Sequence, residues 1–402
     1  MTKTLDQVFD PRKNSIGFLR WLLAFAVIFS HAGPLGGFYE GKDLGTQWSE
    51  EQSLGGVAVC GFFFFSGFLI TQSRMGKSST LRFFWRRALR ILPAFWLTLL
   101  VTAFVLGPIA WVRQTGGIGG YFDASAESPF TYFVNNMWLV LSQQNIAEMG
   151  AGLPSGGHTW NGSAWTLFYE FRAYFLVGLL GMFGLLAHRF IAGAAAAAII
   201  VLSCLQWLRI GDLTYAAPMF VNIYNLLFLA PFAFGILFAL FKDKIPLDDR
   251  VAIGAIILAA ASYAFGGWLV YGQYLFCYFL MWFAIRATKL QNWEKYGDFS
   301  YGIYIIAWPV MQFVAYFGLQ NRGWLVYHVV VIVLCHAFAY LSWHMIEKPA
   351  MSLKNWTPAP LGRLLQKWSP VSLKLKQVFV SDSFSSTHFA VRKRASNETS
   401  AP

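Results

Sequence analysis

Charge is what this chain has least of. Asp, Glu, Lys and Arg make up 12% of its 402 residues, against about a quarter in soluble proteins. That excludes an ordinary soluble globular fold. Cysteine is also scarce. Cys60, Cys204, Cys277 and Cys335 all fall in apolar runs, with neither metal-ligand nor disulfide-framework spacing, and read as small apolar residues. No metal site is expected. No internal repeat is evident, and the low-complexity run GAAAAAII at 193–200 reads as close helix packing through small residues.

Hydrophobic residues fill the gap. They form 56% of the chain, with a mean hydropathy of +0.49. Apolar runs of about 18 to 25 residues recur, the length that crosses a bilayer as a helix. The expectation is an all-α, polytopic transmembrane helix bundle. Ten spans are placed at 16–34, 54–72, 91–111, 163–187, 190–207, 217–241, 251–271, 273–286, 299–319 and 324–346. The eighth is short for a bilayer. The apolar stretch 130–146, interrupted by Asn135 and Asn136, reads as interfacial or re-entrant. The polar N-terminus, with Lys3, Arg12 and Lys13, resembles a signal-peptide n-region. The run after it is long enough to stay as an anchor.

The net charge is +12, but its placement points to topology rather than to a nucleic-acid partner. With ten spans, the side holding both termini carries 25 Lys and Arg, and the other side carries Lys42, Arg113, Arg209 and Arg322. Both termini are therefore expected in the cytoplasm. The division expected is a membrane domain over 1–349 and a basic, Ser-rich cytoplasmic tail over 350–402. That tail is read as partly disordered, with a short surface helix at RLLQKW, 363–368.

Ionisable residues inside such spans are costly and read as functional by default. Arg20 and His31 sit eleven residues apart in the first span. At 100° per residue they lie about 20° apart on one helix face, separated axially by roughly 16 Å. The plainer alternative is a snorkelling Arg with an interfacial His. Arg86, Arg87 and Arg90 precede the third span. They read either as a positive-inside anchor or as a site for a phosphorylated cytoplasmic ligand, since Arg pairs bidentately with phosphate. Arg86 and Arg90, four apart, share a face. Glu170 and Arg172 enter the fourth span, two apart and so not facing each other. Glu170 is expected to point into the bundle toward another span's cation, either as structural pairing with Arg20 or His31 or in binding and proton transfer. Ser66 and Gly67 interrupt FFFFSGFLI, consistent with close backbone approach or a helix break. Tyr301, Tyr304 and Trp308 share one face, which also suits an interfacial aromatic belt. IEKP at 346–349 reads as a helix terminus.

In this order, these motifs resemble the acyltransferase-3 family of integral-membrane O-acyltransferases that modify bacterial polysaccharides, lipopolysaccharide and Nod factors. The matching pieces are Arg20 and His31 in the first span, FFFFSGFLI, RRALRILP, NGSAWTLFYEF, and YGDFSYGIYIIAWP. The resemblance implies transfer of an acyl group, with acetyl expected and longer groups left open, from cytoplasmic acyl-CoA to a hydroxyl acceptor at the outer face of the inner membrane. It implies that Arg20 and His31 serve activity and that the Arg cluster serves the donor. Many relatives have His where this chain has Trp308, and many carry a further C-terminal domain that a 53-residue tail cannot hold.

The roles expected are His31 as general base, with Glu170 orienting or charging it, and Arg20 stabilising the pore or donor. Arg86, Arg87, Arg90 and Ser66 are assigned to the acyl-CoA site. Trp165, Tyr169, Tyr301 and Tyr304 are assigned to the acceptor, a cell-surface glycan or glycolipid. Direct transfer and an acyl-His intermediate both stay open, as does self-association into a homo-oligomer. The rival class is a transporter or flippase using the same buried charges. No paired discontinuous spans support it.

Overall fold

The computed structural model describes residues 3–76, 79–123, 127–149, 159–210 and 223–356. Among these, all regular structure is helical. Eleven helices carry the fold: α1 (Ile16–Gly36), α2 (Leu54–Met75), α3 (Thr80–Val101), α4 (Pro129–Asn136), α5 (Thr166–Met182), α6 (Arg189–Trp207), α7 (Ile223–Leu240), α8 (Asp249–Phe265), α9 (Gln273–Arg286), α10 (Ser300–Tyr316) and α11 (Trp324–Ser342). The tail beyond 356, including 363–368, lies outside the described residues, as does the start of the predicted 217–241 span.

Every predicted span coincides with one of these helices. Six described helices are long and apolar enough to cross a membrane, or up to seven if the bent pair Thr288–Tyr296 and Ser300–Tyr316 is one span. Three boundaries differ from the sequence reading. α3 begins eleven residues before the predicted 91 and runs on through a π turn, Thr102–Leu106, to Thr115. The arginines thus lie inside this helix, as does Pro93. The predicted seventh span ends early, at Phe265, because Gly266 and Gly267 adopt positive φ and turn the chain. Residues 268–272 form a π turn that joins α9, making one 19-residue helix, Trp268–Arg286. α5 stops at Met182, just before Gly184 at φ 74°. Asn136 does not simply break the 130–146 stretch. It is buried and exchanges two hydrogen bonds with the Gln143 backbone, closing the loop after α4.

In an apolar medium a helix satisfies its own backbone, so these runs fold locally and are then sorted by packing. α2 is central, with 67% of its apolar window buried, whereas that of α6 is 22% buried. Two glycines let α2 meet α7 backbone to backbone. A Cβ on Gly67 would collide with the Phe232 carbonyl, and one on Gly235 with the Phe64 carbonyl. Gly67 therefore allows close approach, and α2 does not break there. Ser53, Ser79, Ser128 and Asp248 cap the helices that follow them through their side chains.

The basic connections gather at one end of the bundle. Leu5 N–H donates to Ile245 O, Leu247 N–H to Lys3 O, and Ser15 Oγ to Ala287 O. Lys242 pairs with Asp6, Arg189 with Asp243 and Arg286 with Asp249. α1 and α10 both start at this end and run parallel, with Arg20 beside Asp298 and His31 beside Trp308.

Candidate active site

Helices α1, α2, α3, α5 and α10 surround a cavity of about 100 Å³. It gathers seven of the residues singled out from the sequence: Arg20, Ser66, Arg87, Arg90, Glu170, Tyr301 and Tyr304. Thr166, Glu170 and Tyr174 reach it from α5 at helical spacing. Glu170 accepts from Ser66 Oγ at 2.8 Å and from Tyr174 OH. It does not meet His31 or Arg20, which corrects the expected pairing. The two ends of α1 instead find acids donated by connections.

At the basic end, Arg20 Nη1 lies 2.8 Å from Asp298 Oδ2, and Arg90 pairs with the same carboxylate. Arg90 also reaches Glu347 Oε2 at 3.4 Å, and Ser342 Oγ donates to Glu347 Oε1 at 2.9 Å. Glu347 ends a π turn, Trp343–Glu347, on from α11. Burial pushes the Asp298 carboxyl up, but Arg20, Arg90 and the Ser300 hydroxyl and amide outweigh it and hold it well below the usual carboxylate range. Arg20 and Arg90 are thus neutralised within the protein. Arg86 turns away from the cavity and donates to Asn355 Oδ1 at 3.0 Å. Arg87, 100° further round the helix, behaves differently. It lines the cavity, its Nε is buried without a hydrogen-bond partner, and it pairs with no carboxylate among the described residues. Its guanidinium lies 6.0 Å from the Phe83 ring centroid.

At the opposite end, the local sequence builds a second constellation. Pro34 lacks an N–H, so the Ser30 carbonyl has no helical donor. Leu44 N–H fills it at 3.0 Å, folding the following loop back over α1. Gly33 makes room, since a Cβ there would run into the Lys42 carbonyl. The result puts Asp43 Oδ1 at 2.6 Å from His31 Nδ1 and 3.1 Å from Ser30 Oγ. An ionised carboxylate only accepts, so in the neutral imidazole Nδ1 is the nitrogen that carries the proton and Nε2 the one with the free lone pair. This is the orientation a general base needs. The His31 and Asp43 side chains retain 19% and 32% exposure.

The NGSAW motif and α10 form the layer between the two constellations. Pro309 frees the Ile305 carbonyl, and Asn161 Nδ2 reaches it at 3.4 Å. Tyr304 OH donates to Ser163 O at 2.9 Å and lies 2.5 Å from Thr166 Oγ1. Trp165 and Tyr169 miss the cavity. They pack with Tyr224 and Phe228 on the adjoining face of α5. Sequence reasoning passed over Asp43, Asp298 and Glu347, although Asp298 lies within the YGDFSYGIY motif and Glu347 within IEKP. Among the described residues no group of three or more His, Cys, Asp or Glu is placed to hold a metal ion.

Known proteins share this framework in sequence. An O-acetyl transferase of Shigella phage Sf6 is 30% identical over 354 residues, covering 84% of this chain and 96% of that protein. Nodulation protein 10 of Rhizobium leguminosarum bv. viciae is 26% identical over 367 residues, covering 85% and 94%. The acyltransferase MdmB of Streptomyces mycarofaciens is 32% identical over 106 residues, covering 26% and 27%. No solved structure matches the chain significantly. The acyltransferase domain itself aligns with residues 13–344, from just before α1 to the π turn that carries Glu347, and so takes in the cavity and the His31 constellation. On that span the chain belongs to the acyltransferase-3 family and performs acyl transfer.

Proposed function

We propose that this protein moves a short acyl group, acetyl first among them, from cytoplasmic acyl-CoA to a hydroxyl of a cell-surface glycan or glycolipid. The observation that carries the reading is the separation of two unlike sites along α1. A cavity with an uncommitted guanidinium, Arg87, lies at the basic end, and the His31–Asp43 pair lies at the other. The basic end faces the cytoplasm under the positive-inside rule, and with ten spans both termini lie on the cytoplasmic side of the inner membrane.

Arg87 suits an anionic donor, because binding a phosphate there displaces no internal partner. Arg20 and Arg90 support the wall through Asp298 rather than holding phosphate themselves. A cavity of about 100 Å³ receives a short acyl group and leaves the nucleotide outside it. His31 Nε2 takes the proton of the acceptor hydroxyl as its oxygen attacks the thioester carbon. The C–O bond forms, the C–S bond breaks, and the thiolate leaves and is protonated to free CoA. Asp43 stabilises the imidazolium formed on the way.

The test compares cell-surface glycans by mass spectrometry from cells with wild type, His31→Ala or no protein, at matched protein levels. An acyl mass increment confined to wild type supports the proposal. An increment that survives His31→Ala removes His31 as base. Substrate flux across the membrane with no acyl transfer would establish a transporter instead.

A further inference from the structure

We propose that Trp308 sets the length of the acyl group that reaches His31. This rests on the acyl-transfer reading above. On α10 the cavity wall ends at Tyr304. Trp308 follows one turn later, about 6 Å further along the axis. Its ring meets the His31 imidazole edge-on, with 4.9 Å between centroids. The indole N–H donates to Thr159 O at 2.8 Å. The ring lies flush against Gly162, where an added Cβ would come within 2.6 Å of it. The indole is therefore held by its own helix, by a hydrogen bond and by a glycine contact. On α10, Trp308 thus stands between Tyr304 on the cavity wall and the His31 ring.

Tyr304 is held as firmly, by Ser163 O and Thr166. Neither ring can yield volume without losing a hydrogen bond. The acyl group must then fit what the indole leaves beside His31. That opposes an extended chain. Pocket walls of this kind discriminate a single methylene by about 10- to 200-fold in kcat/KM.

The experiment uses membranes containing the full chain, supplied with acetyl-, propionyl-, butyryl- or hexanoyl-CoA, and measures acyl incorporation into the envelope. Trp308→Ala is expected to raise the butyryl-to-acetyl ratio by about tenfold or more, with Trp308→Phe intermediate. Gly162→Ala, whose Cβ would collide with the ring and force it to shift, is expected to change the propionyl-to-acetyl ratio. Unchanged ratios in folded variants that still transfer acetyl would overturn the proposal. So would complete loss of transfer in both folded Trp308 variants, since the indole would then serve the chemistry itself. If wild type transfers nothing from any acyl-CoA, the acyl-CoA reading fails and this one with it, an outcome distinct from an unchanged ratio.

Discussion

Replacing Asp43 with asparagine isolates what the His31–Asp43 pair contributes. The amide keeps the size of the carboxylate, and the loop keeps its backbone anchors, Leu44 N–H on Ser30 O and Leu54 N–H on Leu44 O. What disappears is the negative charge 2.6 Å from Nδ1. Two unit charges about 4 Å apart interact by about 1 kcal/mol in water and about 4 kcal/mol near a protein surface. Asp43 is one-third exposed, so an intermediate loss of about 2 kcal/mol is expected. That is about 30-fold in rate. The assay is initial-rate acyl incorporation in membranes with the protein quantified. The reduction should fall on kcat, because the carboxylate acts on the imidazolium that forms during transfer and touches no donor atom. Asp43→Asn at the wild-type rate, in protein with wild-type thermal stability, would refute the reasoning. So would a change confined to the KM for acyl-CoA.

Three further outcomes follow from the packing. Arg87→Gln should raise the KM for acyl-CoA about tenfold or more, since charge-assisted hydrogen bonds to phosphate are worth about 1.5–3 kcal/mol; Arg86→Gln, with Arg86 facing Asn355, should change it little. Asp298→Asn leaves Arg20 and Arg90 short of their shared carboxylate. It should cost about 3–5 kcal/mol, seen as a lower melting temperature in detergent. Gly67→Val should sharply reduce the yield of monodisperse protein, because the Phe232 carbonyl that its Cβ would strike is backbone and cannot swing aside. A normal size-exclusion profile for that variant would contradict the close α2–α7 approach.

The helices were legible because each is a long apolar run whose backbone hydrogen bonds are local. The polar stripe of α1 was legible too, since an eleven-residue spacing returns to nearly the same face. The partners of that stripe were not. Arg20 pairs across 278 residues of sequence and Arg90 across 208 and 257, and no periodicity encodes such distances. Glu170 is the instructive error. It is the acid visible inside a span, so the sequence points it toward Arg20 or His31, whereas the acid beside His31 sits in the loop twelve residues after that histidine. The clue lay in Pro34, whose missing N–H leaves a carbonyl that draws the loop back. Arg86 and Arg90 share a face, as their spacing demands, but that face meets the segment that follows α11, at Asn355 and Glu347. Arg90 also lines the cavity, together with Arg87 between them, and only Arg86 turns fully away. The span boundary at Gly266–Gly267 carried a plain turn signal that the surrounding hydropathy masked.

The central claim is that acyl transfer depends on His31, positioned by Asp43. The most direct measurement is CoA thiol release by the purified full-length protein in proteoliposomes supplied with acetyl-CoA and extracted envelope glycolipid. The account predicts thiol release that rises when acceptor is added, matched by acyl groups on the acceptor, and lost by about 10²- to 10⁴-fold in His31→Ala. Acceptor-stimulated release that persists at the wild-type rate in His31→Ala would contradict it.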